Sequence, residues 1–364
     1  MNAVLFVSNG HGEASIATRI AADVRALAPG TLRTDHFALV GAGRGSAGFL
    51  DVGPQRAMPS GGLVAMGNVR AFAADVRAGF FSLLARQLAF LRSARARYAA
   101  IVAVGDAYAL LLARTARLPI VFVGTAKSAY VAPYGPLERR LLRSARAVFV
   151  RDRATAEALC AFGIDAHAPG NVIVDLLDDR ASVDWGDARF RIAVLPGSRE
   201  RAYADAARLI AVVRELAAQR SDIAATVSIA PGLDPMRFAP LLLGTPPIAA
   251  WRGDLGGLLR GATLALGQAG TANEAAAASG VPVVALELAD DRKSAWYRMR
   301  QARLLGDALV VIPGEPRAGA AALAALLGDA ARRERMAAVG RERMGGAGGA
   351  HAIAQAVVRL GGAA

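Results

Sequence analysis

Ala3-Val4-Leu5-Phe6-Val7-Ser8-Asn9-Gly10-His11-Gly12-Glu13-Ala14-Ser15 contains the reading on which the fold turns. Val4–Val7 is a short apolar run of strand type, and Ser8–Gly12 is a glycine-rich turn. From Ser15 to about Leu27 the apolar residues recur at helical spacing. A strand that ends in a glycine turn and opens a helix is the first half of a βαβ unit.

The same alternation continues outward. Leu32–Phe37, Ile101–Val104, Ile120–Val123 and Ala147–Val150 read as strands bounded by turn residues. Tyr108–Ala116, Leu137–Arg143 and Ala154–Phe162 read as helices between them, and Arg70–Arg97 as a long helical stretch. The pattern pauses over the charged stretch Asp175–Asp187, which reads as a linker. It restarts at Ile192–Leu195, with further strands at Ile223–Ile229, Leu264–Leu266 and Val281–Leu286. Helices are expected at Arg201–Gln219, Thr271–Ser279, Ala318–Arg343 (broken near Gly328) and Ala350–Leu360. The expected architecture is α/β, with two doubly wound parallel-sheet domains over residues 1–178 and 188–345. Residues 346–364 form a last helix that crosses back to the first domain.

Composition sets the outer limits. The chain has 364 residues, 54% of them hydrophobic, and one cysteine, Cys160. That apolar content excludes a disordered chain, and a single cysteine excludes a disulfide framework. The formal charge is +13, from 43 basic and 30 acidic residues, and every basic residue except Lys127 and Lys293 is arginine. Such a surplus suits phosphate ligands, acidic membrane surfaces or nucleic acid. No aromatic stacking array or known module supports nucleic acid. A spanning helix needs roughly 18 uninterrupted apolar residues. Ala99–Ala113 is broken by Asp106 and Leu255–Leu266 by Arg260, while the N-terminal run is too short for a signal peptide. A cytoplasmic protein is expected.

In doubly wound sheets ligands bind at the carboxyl ends of the strands, so three turns matter. The first, Ser8–Ser15, carries His11 and Glu13, both capable of acid–base work near neutral pH. Gly10–Ser15 also approaches a dinucleotide fingerprint, with Asp35 about where a ribose-binding acid belongs. That leaves a nicotinamide-dependent oxidoreductase open. The second, Leu195-Pro196-Gly197-Ser198-Arg199, offers close backbone approach, an N-cap serine and a bidentate phosphate donor. The third, Gly267-Gln268-Ala269-Gly270-Thr271-Ala272-Asn273-Glu274, puts N–H groups and a hydroxyl at a helix N-terminus. Glu274 lies one turn in, within reach of a ribose diol. Two anion-ready turns in one domain suggest a diphosphate bearing a sugar or nucleoside. The chain has no Walker-type loop and no Asp-x-Asp pair, and His11, His36, His167 and His351 are scattered. Neither a metal nor a cofactor is expected.

Gly12-Glu13-Ala14-Ser15, Met66-Gly67, Leu195–Arg199 and Gly270-Thr271-Ala272 with Glu274 resemble lipid-A-disaccharide synthase, in the same order. The Ser8–Glu13 opening is similar to that of its less-characterised relatives. The resemblance spans most of the chain. It implies a GT-B glycosyltransferase fold, with two Rossmann-like domains facing a cleft. It implies metal-free, inverting transfer of a sugar from a UDP donor to a hydroxyl, with a lipid or lipid-linked sugar among the acceptors. On this resemblance Gly12, Gly197, Ser198, Arg199, Gln268, Gly270, Thr271 and Glu274 contact the donor. Asp106, in Val104-Gly105-Asp106-Ala107, matches a synthase aspartate and joins His11, which the synthase lacks, and Glu13 of the first turn as the candidate catalytic residues. The chain departs from the family just after, at Tyr108-Ala109-Leu110-Leu111. A UDP-sugar epimerase of the same fold is the alternative. Phe72, Phe80, Phe81, Leu83, Leu84 and Phe90 interleave with Arg70, Arg77, Arg86 and Arg92, as an anionic membrane surface or an acyl chain would require. Trp296–Arg300 has the same character.

Overall fold

The computed structural model describes residues 2–40, 49–56, 74–177, 181–246, 248–268, 270–287 and 292–362. The His11 side chain, Met66, Gly67, Arg70 and Phe72 lie outside the described residues. The chain divides into two compact units. Unit 1 is Met1–Leu176 with Ala347–Ala364, and unit 2 is Leu177–Gly346.

Unit 1 is built on seven strands: β1 (Asn2–Ser8), β2 (Leu32–Ala38), β3 (Leu50–Asp51), β4 (Ala100–Gly105), β5 (Ile120–Gly124), β6 (Ala147–Val150) and β7 (Ala166–His167). Their order is β3-β2-β1-β4-β5-β6-β7, and every pairing in the sheet is parallel. All six residues of β4 and all five of β5 are buried, as expected of strands covered on both faces. Strand alternation splits the core in two. Val4, Phe6 and Val102 pack with Ile16, Ile20, Val24, Ile353 and Val357 of helices His11–Leu27 and Gly349–Gly362. Leu5, Val7, Ile101 and Phe122 pack on the other side with Leu91, Leu110, Leu142 and Leu159. Each such fully buried side chain contributes about 1.5–3 kcal/mol.

The last helix is tied at both ends. Gly348 N–H and Ala350 N–H donate to the Asp175 carboxylate at 2.6 and 2.7 Å. The Asn2 side-chain amide donates to Gly361 O at 2.9 Å. Asp175 therefore belongs to the fold of unit 1, not to a loose linker, and it ends the short helix Val172–Asp175. Further along the expected linker, Trp185 is buried and its indole N–H donates to Arg260 O at 3.2 Å. A charged stretch that hides a tryptophan is docked onto unit 2.

Unit 2 has six strands: β8 (Phe190–Leu195), β9 (Ile223–Ser228), β10 (Ala249–Trp251), β11 (Leu264–Gly267), β12 (Val283–Glu287) and β13 (Leu309–Pro313). The order is β10-β9-β8-β11-β12-β13, again all parallel. β10, β13 and the first residues of helix Arg292–Leu305 are not anticipated by periodicity. In the Phe/Arg helix, observed as Phe80–Ala94, Leu83 and Leu91 are core and Phe90 packs on Phe37 with centroids 4.8 Å apart. Phe81 alone among its described aromatics is strongly exposed, at 60%. Among the described residues, no helix is long and apolar enough to cross a membrane.

Candidate functional site

Strand order locates the ligand-binding ends. In each sheet the chain builds outward in one direction and then in the other, and the reversal leaves a crevice at the carboxyl ends of two neighbouring strands. In unit 1 the reversal falls between β1 and β4, and in unit 2 between β8 and β11. The three turns singled out from the sequence follow β1, β8 and β11, and Asp106 follows β4.

In unit 1, β1 ends at Ser8 and helix His11–Leu27 begins three residues later. Gly10 stands at the cap position without a side-chain cap, so the first N–H groups are open to a ligand. Glu13 lies in the first turn, where a carboxylate suits the positive helix end. Thr125, just past β5, donates its hydroxyl to Glu13 Oε1 at 3.3 Å. Asp106 follows β4 and caps helix Ala107–Ala113, accepting from Tyr108 N and Ala109 N at 2.9 and 3.3 Å. Its Oδ1 also accepts from the Asn9 side-chain amide at 2.7 Å. Three donors thus hold one oxygen, and no hydrogen bond to Oδ2 is found among the described residues. Gly105, at φ 138°, gives Asn9 room; any side chain there would overlap the Asn9 amide. Gly12 is exposed in the first helical turn, with open space around it. Burial pushes the Tyr108 hydroxyl up to about 12, with the Asp106 charge adding to it.

Asp35 does not stand at a strand end. It is the fourth residue of β2, paired across from Leu5, and buried. Tyr98 donates its hydroxyl to Asp35 Oδ2 at 2.8 Å, and Arg33 lies 3.1 Å from the same oxygen. The carboxylate expected to hold a ribose is spent on packing, which removes the residue that completed the dinucleotide fingerprint.

In unit 2, Gly197 has φ 114°, a conformation open to glycine. Ser198 and Arg199 are exposed. Ser198 is not an N-cap, because helix Ala202–Gln219 starts four residues on, with Arg201 at the cap position and no side-chain cap. Both side chains remain available to a ligand. Helix Gly270–Ala278 opens directly after β11, with Gly270 and Thr271 exposed. Gln268 is tied down: its N–H donates to Leu195 O at 3.0 Å and its side-chain amide to Leu286 O at 2.9 Å.

Asn9, Thr125, Asn273 and Gln301 were not singled out from the sequence. Asn273 is fully buried and its amide donates to Gly267 O and Gln301 Oε1 at 3.1 and 3.0 Å. Gln301 in turn donates to Gly270 O at 3.0 Å. These two side chains thus hold the Gly267 and Gly270 carbonyls on either side of the turn. Their partners are 6 to 31 residues away in sequence, which local pattern does not register.

The fold recurs in solved structures. A Listeria monocytogenes protein described as a UDP-N-acetylglucosamine 2-epimerase matches with a TM-score of 0.65 and 16% identity, over 98% of this chain and 94% of that one. UDP-GlcNAc 2-epimerase from Neisseria meningitidis, solved with UDP-GlcNAc bound, matches at 0.58 and 14%, over 98% and 99%. The glycosyltransferase SnogD from Streptomyces nogalater matches at 0.57 and 17%, over 99% of each chain. The fold is GT-B. No protein-family model and no curated protein matches the sequence. At these identities the likeness establishes architecture, and the two-domain expectation of the sequence is met by two all-parallel α/β units.

Proposed function

We propose that the chain is a UDP-sugar enzyme, and that it transfers the sugar to an acceptor hydroxyl. One observation carries the reading. In unit 2 the Pro196–Arg199 turn and the Gly270 helix start follow β8 and β11, the pair at which strand order reverses. Gly197, Ser198, Arg199, Gly270 and Thr271 there supply N–H groups, hydroxyls and one guanidinium, the donor set for a diphosphate. Glu274 is the candidate for the ribose. The fold neighbours that bind UDP-GlcNAc or transfer sugars support the same substrate class.

The chemistry is a single displacement. The acceptor oxygen bonds to the anomeric carbon as the carbon–oxygen bond to the diphosphate breaks. The electron pair leaves with UDP, where Arg199 and the turn N–H groups stabilise it. The acceptor proton passes to a carboxylate of unit 1, Asp106 on Oδ2 or Glu13, with His11 the third candidate. The order of motifs shared with lipid-A-disaccharide synthase supports a lipid-linked acceptor. So do exposed Phe81 and Leu137, which lie on helices that carry arginine, Arg86 and Arg92 on one and Arg139 and Arg140 on the other. Co-sedimentation with anionic but not neutral liposomes is expected, and equal recovery with both removes the membrane part.

The epimerase neighbours favour a second reading, isomerisation of the UDP-sugar without an acceptor. Thermal-shift screening against UDP, UDP-sugars and NAD(P)H tests the class: stabilisation by uridine diphosphates alone is expected. Stabilisation by NAD(P)H instead refutes it. Incubation with UDP-GlcNAc then separates the reactions, since an epimerase yields a UDP-sugar isomer and a transferase yields free UDP only with an acceptor.

A further inference from the structure

Ser8, the last residue of β1, is fully buried, and its Oγ lies 2.9 Å from His36 Nε2. On the far side of the ring, His36 Nδ1 lies 2.6 Å from Asp51 Oδ1. The three residues come from neighbouring strands β1, β2 and β3. A carboxylate only accepts, so Nδ1 carries the hydrogen and Nε2 accepts from the Ser8 hydroxyl. The ring is stacked on Phe49 with centroids 5.1 Å apart. Burial holds the His36 pKa below its ordinary value, against the opposing pull of Asp51, so the ring is neutral at neutral pH.

Serine, histidine and aspartate in this order have the connectivity of a nucleophilic triad. Nucleophilic attack needs Oγ to meet a carbonyl carbon, and Ser8 has no exposed surface. The arrangement has another use. Asn9 is the next residue, and it holds Asp106 Oδ1 at 2.7 Å. The Ser8 carbonyl is fixed as well, accepting from Leu39 N–H at 2.8 Å. Whatever fixes Ser8 fixes the start of the turn that carries Asn9 and Glu13.

We propose that Asp51, His36 and Ser8 form a buried relay that positions the Asn9–Glu13 turn, with His36 as its central positioning residue. Its catalytic consequence rests on the sugar-transfer reading, but its structural consequence does not. The test uses Ser8→Ala, which removes one hydroxyl, and Asp51→Asn as a second variant. Amide spectra of residues 9–13 and the low-field His36 Nδ1–H proton are recorded for each. Ser8→Ala is expected to move the Asn9, Gly10 and Glu13 amides, and Asp51→Asn to abolish the low-field proton. Turnover is expected to fall by about tenfold to a hundredfold. KM for the UDP-sugar is expected to change less than turnover, because of the residues assigned to the donor only Gly12 lies in unit 1. Unmoved amides, or a loss confined to KM, overturn the proposal. If the wild-type protein turns over no UDP-sugar, the function reading fails; the amide shifts then still support or overturn the relay.

Discussion

Replacing Asp106 separates two roles that one carboxylate holds at once. As an N-cap it accepts from Tyr108 N and Ala109 N, and loss of a cap costs about 1 kcal/mol. It also accepts from the Asn9 amide at 2.7 Å. A hydrogen bond to a charged group contributes about 1.5–3 kcal/mol, and the half-buried setting argues for the lower end. Asp106→Ala is therefore expected to destabilise unit 1 by about 2.5 kcal/mol. Asp106→Asn keeps an oxygen that can accept from all three donors, and asparagine caps as well as aspartate. Its cost is the lost charge at the helix N-terminus, about 0.3–1 kcal/mol. Urea unfolding should therefore rank the variants with a gap of about 2 kcal/mol, summed from these terms. Turnover should not follow that ranking: with Asp106 as the proposed base, both variants should be inactive. Equal destabilisation of the two refutes the capping argument. A stable Asp106→Asn protein with near-wild-type turnover refutes Asp106 as the base and leaves Glu13 and His11.

Arg199→Ala should leave unfolding within about 0.5 kcal/mol of wild type, as an exposed change away from packing does. It should weaken UDP binding by about 1.5–3 kcal/mol, the range for a charge-assisted hydrogen bond, measured by calorimetry. Gly340→Ala in helix Ala330–Met344 would put a Cβ 3.0 Å from the Ala277 carbonyl carbon and 3.2 Å from its Cα. That backbone belongs to the helix that starts at Gly270, and overpacking should cost about 1–3 kcal/mol in urea unfolding. Gly328→Ala meets nothing within 4 Å and should instead stabilise by about 0.4–1 kcal/mol. Burial first, and then the Asp35 hydrogen bond, push the Tyr98 hydroxyl from 10.0 up to about 12. The unfolded chain thus releases this proton before the folded one, so stability should fall between about pH 10 and 12. Tyr98→Phe should flatten that alkaline slope in a pH series of melting curves.

The strands were legible because a buried parallel strand must be apolar on both faces, and runs such as Ile101–Val104 and Ala147–Val150 are. Asp106 and Asp152 cap the helices that follow them, a local contact between residues two or three apart. The boundary between the units falls inside the expected linker, at Leu176 and Leu177, but charge density hid Trp185, whose partner Arg260 lies 75 residues away. Asp35 was misread because its distance from the glycine turn suits a ribose ligand, while its burial depends on Tyr98, 63 residues on.

By itself the sequence determined the alternation of strands and helices and the glycine turns at strand ends. Both follow from interactions among residues close together in the chain. Which turns share a crevice depends on strand order, decided when β4 pairs with β1 and β11 with β8. The partners of single polar groups were decided at the same level. Asn9 meets Asp106 across 97 residues, Thr125 meets Glu13 across 112, and Ser8 meets His36 across 28. A side-chain hydrogen bond needs its two atoms within about 3 Å, and only the folded sheet brings such distant residues that close.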